Sequence, residues 1–491
     1  MRSLNRRDFL KTVSAGTVSL WMGGLHSCAR KEKERPNIIY INVDDLGWKD
    51  LGFMGSEFYE TPHIDALAHE GVVFTHAYAP AANCAPSRAC CFTGQYTPRH
   101  GIYTVNNSDR GDPRTRRLIP IENRTALPEN QVTIAENLKA NGYATAHIGK
   151  WHLGDDPTTQ GFDTNIGGSN IGHPKSYFSP YQNTHLENGP EGEHLTDRLT
   201  DEAIRFIQDK QAQPFFLHLA YYAVHTPLQP KADKLAKYLK KQGAPGQNNA
   251  KYAAMIDSVD ENIGRILQAL DNLNLADKTV VVFSSDNGGV RRRTSMAPLR
   301  AGKGSYYEGG IRVPLIVRWS GHFKFGIRCE TPVSGIDFYP TFLELTHTPK
   351  TEGKVLDGIS MLPLMTRRGK IKERPLFWHF PIYLEGGNQE TRDPVFRTRP
   401  GSVVQMGDWK LHEYFEDRSL ELYNLKEDIG EKHNRVEAYP EIAKELYQKL
   451  EAWRKALGAP IPARLNPEYD RKYDMSLRSR RMFPKGSHLI I

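Results

Sequence analysis

Cysteine is scarce in this chain: five in 491 residues, at positions 28, 84, 90, 91 and 329. So few, so irregularly placed, they exclude a disulfide framework and a cysteine-based zinc cluster. No apolar run reaches the length of a mature transmembrane helix, the extreme N-terminus aside. Internal repeats, low-complexity segments and nucleic-acid-binding modules are all lacking. Aromatic side chains are plentiful instead: 22 Tyr, 20 Phe and 7 Trp. With 39% hydrophobic and 25% charged residues, they describe a folded globular chain and exclude wholesale disorder. Length alone suggests about two to four structural units burying roughly three quarters of the unfolded surface.

The net charge is +8, and Arg2, Arg6, Arg7 and Lys11 against Asp8 supply three of those charges within residues 1–27. Short basic clusters remain at Arg114/Arg116/Arg117, Arg291–Arg293 and Arg478/Arg480/Arg481. They read either as solvated loops or as a surface that attracts polyanions. Without a nucleic-acid module, the polyanion of choice is a sulfated glycan.

Residues 1–28 read as an export signal. Asn5-Arg6-Arg7-Asp8-Phe9-Leu10-Lys11 precedes an uncharged, small-residue-rich stretch from Thr12 to Leu25, the pattern of a twin-arginine signal. Leu25-His26-Ser27-Cys28 resembles a lipobox, with His26 an unusual occupant. Lipidation at Cys28, simple cleavage and retention as an anchor all remain open, and only such an anchor would tie the chain to a membrane. The expected location is the periplasm or cell envelope, with residues 29–36 as a charged tether.

Beyond the tether, short β-rich runs alternate with helical patterns, which signals an α/β sheet. Strands are expected over Asn37–Val43, Tyr143–Ile148, Pro214–Tyr222 and Thr279–Phe283, and helices over Val132–Ala140, Thr196–Gln208 and Ser258–Leu273. Each strand runs into polar residues: Asp44-Asp45, Lys150-Trp151-His152, His225 and Asp286-Asn287. Turn and capping chemistry explains any one such ending. Four together match the place where open α/β sheets put their ligands, just past the carboxyl ends of strands. A catalytic domain is expected over 37–400, with a helix over Gly335–Leu345 and aromatic-, Pro- and Gly-rich loops over 370–400. Residues 401–491 read as a second domain. It holds antiparallel strands at Ser402–Met406, Trp409–Phe415 and Leu420–Leu425, one helix over Tyr439–Leu457, and a basic tail wrapping the surface from Gly458.

The most specific stretch is Cys84-Ala85-Pro86-Ser87-Arg88, followed by Ala89-Cys90-Cys91-Phe92-Thr93-Gly94. A lone Cys is usually a small buried hydrophobe. This one stands at an expected helix start, where free N–H groups and the macrodipole favour an anion, with Arg88 one turn on. The residues alone give an anion site with a sulfur nucleophile. Asp44, Asp45, Asp286 and Asn287 form an oxygen-only ligand set suited to a hard cation and not to zinc. Cys90-Cys91 reads as packing more readily than as redox chemistry. Trp378-His379-Phe380-Pro381 reads equally as core or as a sugar subsite.

Cys-x-Pro-Ser-Arg followed by Thr-Gly resembles the signature of the type I, arylsulfatase-like sulfatases, and the similarity extends from about Arg35 to Asn434. The resemblance implies a large mixed sheet sandwiched by helices, alkaline-phosphatase-like, with a smaller C-terminal α+β domain of antiparallel strands and one helix. It implies hydrolysis of a sulfate ester, with Cys84 converted to formylglycine by a formylglycine-generating or radical maturation enzyme. One Ca²⁺ per chain is implied on Asp44, Asp45, Asp286 and Asn287, with residue 84 touching it. Arg88 is implied to support the nucleophile and the anionic centre. Lys150 and His152 form a catalytic pair in which His152 takes the proton that expels sulfate. His225 and Lys303 grip the sulfate and protonate the leaving oxygen. Export, basic surface and aromatic loops make a sulfated carbohydrate the expected substrate. Its specificity is expected in the loops 103–117, 155–194, 291–300 and 379–399. Two rivals stand beside this reading. One is a phosphatase, phosphodiesterase or phosphonate hydrolase on the same kind of scaffold, which would need two zinc ions and several His ligands. The other is a non-catalytic sulfated-glycan-binding protein.

Overall fold

Seven consecutive residues, Asn37–Val43 (β1), are buried without exception, as the central strand of a sheet covered on both faces must be. The computed structural model to which β1 belongs describes residues 35–366 and 369–482. The export signal, Cys28 and residues 29–34 of the tether lie outside the described residues. Seven further strands join β1: β2 (Val72–Phe74), β3 (Ala144–Gly149), β4 (Thr164–Ile166), β5 (Phe215–Tyr221), β6 (Thr279–Ser285), β7 (Leu315–Trp319) and β8 (Ile327–Cys329). Their order across the sheet is β8-β2-β7-β6-β1-β5-β3-β4. β7 runs antiparallel to β2 and β6, and every other pairing is parallel. The mixed sheet is as expected.

Alternation along β1 feeds two separate cores. Ile39, Ile41 and Val43 pack with helices α1 (Pro62–Glu70), α4 (Leu195–Lys210) and α5 (Ala250–Asn272). Ile38 and Tyr40 face the opposite side, with α2 (Cys84–Thr93), α3 (Ile134–Ala140) and α6 (Phe338–Leu345). Local signals set the boundaries. Thr133 and Glu136 close a capping box on α3, and Gly142, with φ of +83°, turns the chain into β3. Among the described residues no helix is long and apolar enough to cross a membrane.

The smaller sheet is antiparallel, in the order β9 (Leu376–Phe380), β12 (Gly401–Met406), β13 (Trp409–Tyr414), β14 (Leu420–Asn424). The two-stranded pair β10 (Leu384–Glu385) and β11 (Phe396–Thr398) lies between β9 and β12 in sequence. Helix α7 (Pro440–Leu457) covers the sheet with Leu446, Leu450 and Trp453 against Val404, Leu411 and Leu422.

Two expectations are corrected here. The loop expected over 370–400 contains β9, whose five residues are all buried and pair with β12. Trp378 and His379 therefore belong to the core. The Trp378 indole donates to the Ala79 carbonyl at 2.9 Å, and the His379 ring bonds Ser402 and the Pro460 carbonyl. They are not a sugar subsite. The tail holds a second helix, α8 (Arg471–Met482), where the sequence reading allowed one. Its buried Asp474 docks on Arg399, and Arg478 closes the pair from the other side.

Candidate active site

β6, β1, β5 and β3 are neighbours in the sheet, so the polar residues that follow them emerge side by side. Two of these residues leave their strands in backbone geometry that L-residues seldom adopt: Asp45 has φ of +62° and His152 +64°. Cys84 is the first residue of α2, 2% exposed, beside all four strand ends. Its Sγ lies 3.6 Å from Asp44 Oδ1 and 3.1 Å from Lys303 Nζ. Every expected site residue is thus drawn to one centre.

The charges there are matched and buried. Lys150 Nζ meets Asp44 Oδ2 at 2.5 Å, with both side chains wholly buried. Lys303 Nζ meets Asp45 Oδ1 at 2.5 Å, and Arg88 meets Asp286 Oδ2 at 2.9 Å. Arg88 also donates to the Lys150 carbonyl at 2.7 Å, which ties α2 to the end of β3. His225 Nε2 lies 3.7 Å from Asp45 Oδ2, while its Nδ1 donates to the Thr226 carbonyl at 2.8 Å. That bond fixes the neutral tautomer with Nε2 turned to the centre.

Burial sets the protonation states. It holds His152 well below the ordinary imidazole range, helped by Lys150 and Arg88, so the ring is neutral at pH 7. Burial brings His225 down to about 4, against the pull of Asp45. Lys303 stays a firm ammonium despite its burial, because Asp45 lies against it. The Cys84 thiol is pushed up to about 12 by burial, so as a thiol it is a poor nucleophile. Burial, then the nearby Asp286 and Asp45, raises Asp44 above the ordinary carboxylate range, against the pull of the Lys150 ammonium paired with it.

The residues fit a hard divalent cation. Ligand atoms of Asp44, Asp45 and Cys84 lie within 4.8 Å of one another, and Asp286 Oδ1 stands 3.3 Å from the backbone N of Asp45. Asn287 donates through Nδ2 to Asp45 at 2.8 Å, yet its Oδ1 is buried without any hydrogen-bond donor. An acceptor orphaned beside three carboxylates is what a cation ligand looks like before the cation is counted. No other cluster of three or more metal-ligating His, Cys, Asp or Glu occurs among the described residues. Among the described residues the cluster of Asp44, Asp45 and Cys84 contains no histidine, unlike a two-zinc phosphatase site.

Residues 36–348 match the family described as Sulfatase, and residues 302–456 match N-sulphoglucosamine sulphohydrolase, C-terminal. The chain belongs to the sulfatase family. A protein named Sulfatase from Formosa agariphila is 34% identical, covering 92% of this chain and 95% of its own. The N-acetylgalactosamine-6-sulfatase of Mus musculus is 32% identical over 75% of this chain and 73% of its own. The crystal structure of Ps i-CgsB in complex with k-i-k-neocarrahexaose superposes with a TM-score of 0.73 at 30% identity, covering 92% and 98% of the two chains. The chain is a sulfuric ester hydrolase.

This sulfatase opens its centre onto a cavity of about 440 Å³, lined by Cys84, His152, His225 and Lys303. The cavity wall also carries residues that no motif reading singled out: Arg110, His173 and Arg397. His173 stacks on His225 with ring centres 6.1 Å apart. Gly172 presses on His152 so closely that a Cβ there would come within 2.3 Å of the ring. All of them fall inside the loops expected to carry specificity.

Proposed function

We propose that this sulfatase hydrolyses a sulfate ester on a carbohydrate, using formylglycine made from Cys84 and one calcium ion held by Asp44, Asp45, Asp286 and Asn287, with residue 84 beside it. The observation that carries the reading is the electrostatic balance of the centre. Three carboxylates face three cations, Arg88, Lys150 and Lys303, at 2.5–2.9 Å. A divalent cation added to a neutral set leaves the site positive, which suits the oxyanion of a sulfate ester. When bound, calcium supplies Lewis-acid charge that holds sulfate oxygens for in-line attack.

The chain's own residues then divide the work. Arg88 fixes Asp286 and the start of α2, so the nucleophilic oxygen borne on residue 84 emerges at a helix N-terminus that favours negative charge. Lys303, in contact with residue 84, keeps a proton next to the bond that breaks and serves the leaving sugar oxygen, and His225 joins it once the sulfate anion beside Nε2 favours the protonated ring. His152, neutral and with an unpartnered Nδ1, takes the proton whose removal expels sulfate and restores the aldehyde. A carbohydrate substrate is supported by the named specificities of relatives and by the open, polar cavity. Export by the twin-arginine signal to the periplasm or envelope, with Cys28 as lipid anchor, and maturation by a formylglycine-generating or radical enzyme complete the reading.

The test is sulfate release by protein co-produced with a maturation enzyme, on a panel of position-defined sulfated monosaccharides beside an aryl sulfate and an aryl phosphate. Release from at least one sulfated sugar, abolished by chelation and restored by calcium better than by zinc, is expected. Faster turnover of the phosphate ester would overturn the assignment.

A further inference from the structure

A second cavity of about 410 Å³ adjoins the first and shares three of its walls: His225, Lys303 and Arg397. Each is of the size that small-ligand sites have, roughly 300–1,000 Å³. The shared wall means that a chain of sugars can lie across both. The far side of the second cavity carries Arg291, Arg292 and Arg293.

Arg397 differs from the arginines around it. Arg110 is clamped by Glu385 and Arg291 by Glu390. Arg392 pairs with Asp417, and Arg399 with Asp393 and Glu416. For Arg397 no carboxylate among the described residues comes within ion-pair distance, and its one hydrogen bond is a long donation, 3.4 Å, to the Lys303 carbonyl. Yet the side chain is firmly seated. Its shaft crosses Gly304, where a Cβ would come within 2.8 Å of Cδ, and its Nε passes Gly386, where a Cβ would lie 3.3 Å away. Both glycines have positive φ, +87° and +85°. The backbone on either side has thus given up side chains at the place where this guanidinium enters the cleft. Burial, with Arg110 and Arg292 nearby, pulls its pKa below the ordinary guanidinium value in spite of Glu385 and Asp45. Such a cation lacks an anion.

We propose that Arg397 is a specificity-determining residue that grips a second anionic group of the substrate, a sulfate or carboxylate on the sugar next to the one bearing the scissile ester, within the second cavity. The inference rests on the reading of the site as one that acts on sulfated carbohydrate. The planar fork of a guanidinium matches two oxygens of either oxyanion. Arg292, exposed on the far side, adds long-range attraction.

The test uses three disaccharides with the same scissile sulfate, whose neighbouring sugar carries a second sulfate, a carboxylate or only hydroxyls. Binding is measured by calorimetry on calcium-loaded Cys84→Ala protein, and kcat/KM on the matured enzyme. At least one anionic disaccharide is expected to bind roughly ten- to hundredfold tighter than the neutral one, the scale of a charged hydrogen bond. Arg397→Gln should erase that ratio and Arg397→Lys should keep part of it, with unfolding midpoints confirming that both fold. Whichever anion wins identifies the group. No preference in the parent protein, or equal losses on all three ligands in Arg397→Gln, overturns the proposal. Because binding is read without turnover, a preserved preference with no sulfate release would sink the hydrolytic reading and leave this one standing.

Discussion

Two of the buried charge clusters among the described residues make a contrast, and of these two only the first opens onto a cleft. At the ends of β1, β3 and β6, three carboxylates meet three cations beside a cavity of about 440 Å³. Between the two sheets, Lys410 Nζ lies 3.0 Å from both Glu308 and Glu431, and Arg312 closes on Glu308 at 3.2 Å. This second set is as buried and as balanced as the first. A cavity that reaches His412 and Glu413 of β13 holds about 20 Å³, room for about one water. The first cluster keeps an orphaned acceptor, Asn287 Oδ1, a seldom-adopted backbone at Asp45 and His152, and neutral imidazoles at its rim. The second spends its charges on each other and fastens the small sheet to the large one. Burial of charge marks both places; concavity marks the site.

The comparison breaks if the first cluster is only structural, and Cys84 decides that with the largest expected effect. Cys84→Ala should lower sulfate release to background while the unfolding midpoint stays near that of the parent. Cys84→Ser should do the same unless the host also matures serine. Mass spectrometry of the peptide around residue 84 in active protein should show an aldehyde in place of the thiol. Turnover by Cys84→Ala would remove the basis of the assignment.

Within the first cluster, His152 and the pair His225–Lys303 should fail differently. His152→Ala should still cleave the first ester, giving a burst of about one equivalent of desulfated product and then little more. Replacing His225 or Lys303 should slow the burst itself, by about 10²–10⁴-fold on sugar sulfates and by less on aryl sulfates, whose phenolate needs less protonation. Stopped-flow product traces on both substrate types check this. Equal losses on both would reduce the pair to sulfate binding.

The second cluster should answer to stability. Lys410→Met leaves Glu308 and Glu431 buried without their ammonium, and breaking such a set typically costs about 3–5 kcal/mol. Urea unfolding should show a loss of that order, while kcat per folded molecule stays within about twofold of the parent. A large fall in kcat in folded protein would mean that the two clusters are coupled.

The same contrast explains what could be read in the sequence. The site was legible because its parts sit on short contiguous strings, each tied to a local signal: a strand end for Asp44-Asp45, Lys150-Trp151-His152 and Asp286-Asn287, a helix start for Cys84. The large sheet was legible for the same reason, since buried strands alternate with helices that carry their own caps. Arg110, His173 and Arg397 were not, because three loops far apart in sequence meet only through the fold. β9 reads as a loop because Leu376–Phe380 is short and flanked by Pro375 and Pro381, and only its pairing with β12 makes it a strand. α8 carries no apolar stripe; Asp474 docks it by ion pairing, which periodicity does not register.

The smallest expected effect lies in the core beneath the small sheet and sharpens the contrast between buried groups that serve chemistry and those that serve the fold. His379 is almost fully buried on β9, where Nε2–H donates to the Pro460 carbonyl at 2.9 Å and Nδ1 accepts from Ser402 at 2.8 Å. Burial brings its pKa down to about 3, with Arg454 adding to the shift. The unfolded chain titrates near the ordinary value of about 6.5, so the folded state binds this proton less readily than the unfolded one. The stability His379 lends is therefore intact above about pH 6.5 and drains as the pH falls toward 3. Between pH 7 and pH 5 the loss should be about 2 kcal/mol for this residue. His379→Gln, which can still donate to Pro460 but does not titrate, should shrink the pH 7-to-5 difference in unfolding free energy by that amount, whatever it costs at pH 7. His100 and His147, each also held near 3 by burial, should keep the remaining acid sensitivity in place. An unchanged pH slope in folded His379→Gln would show that the ring is already charged in the folded protein and that another group faces it.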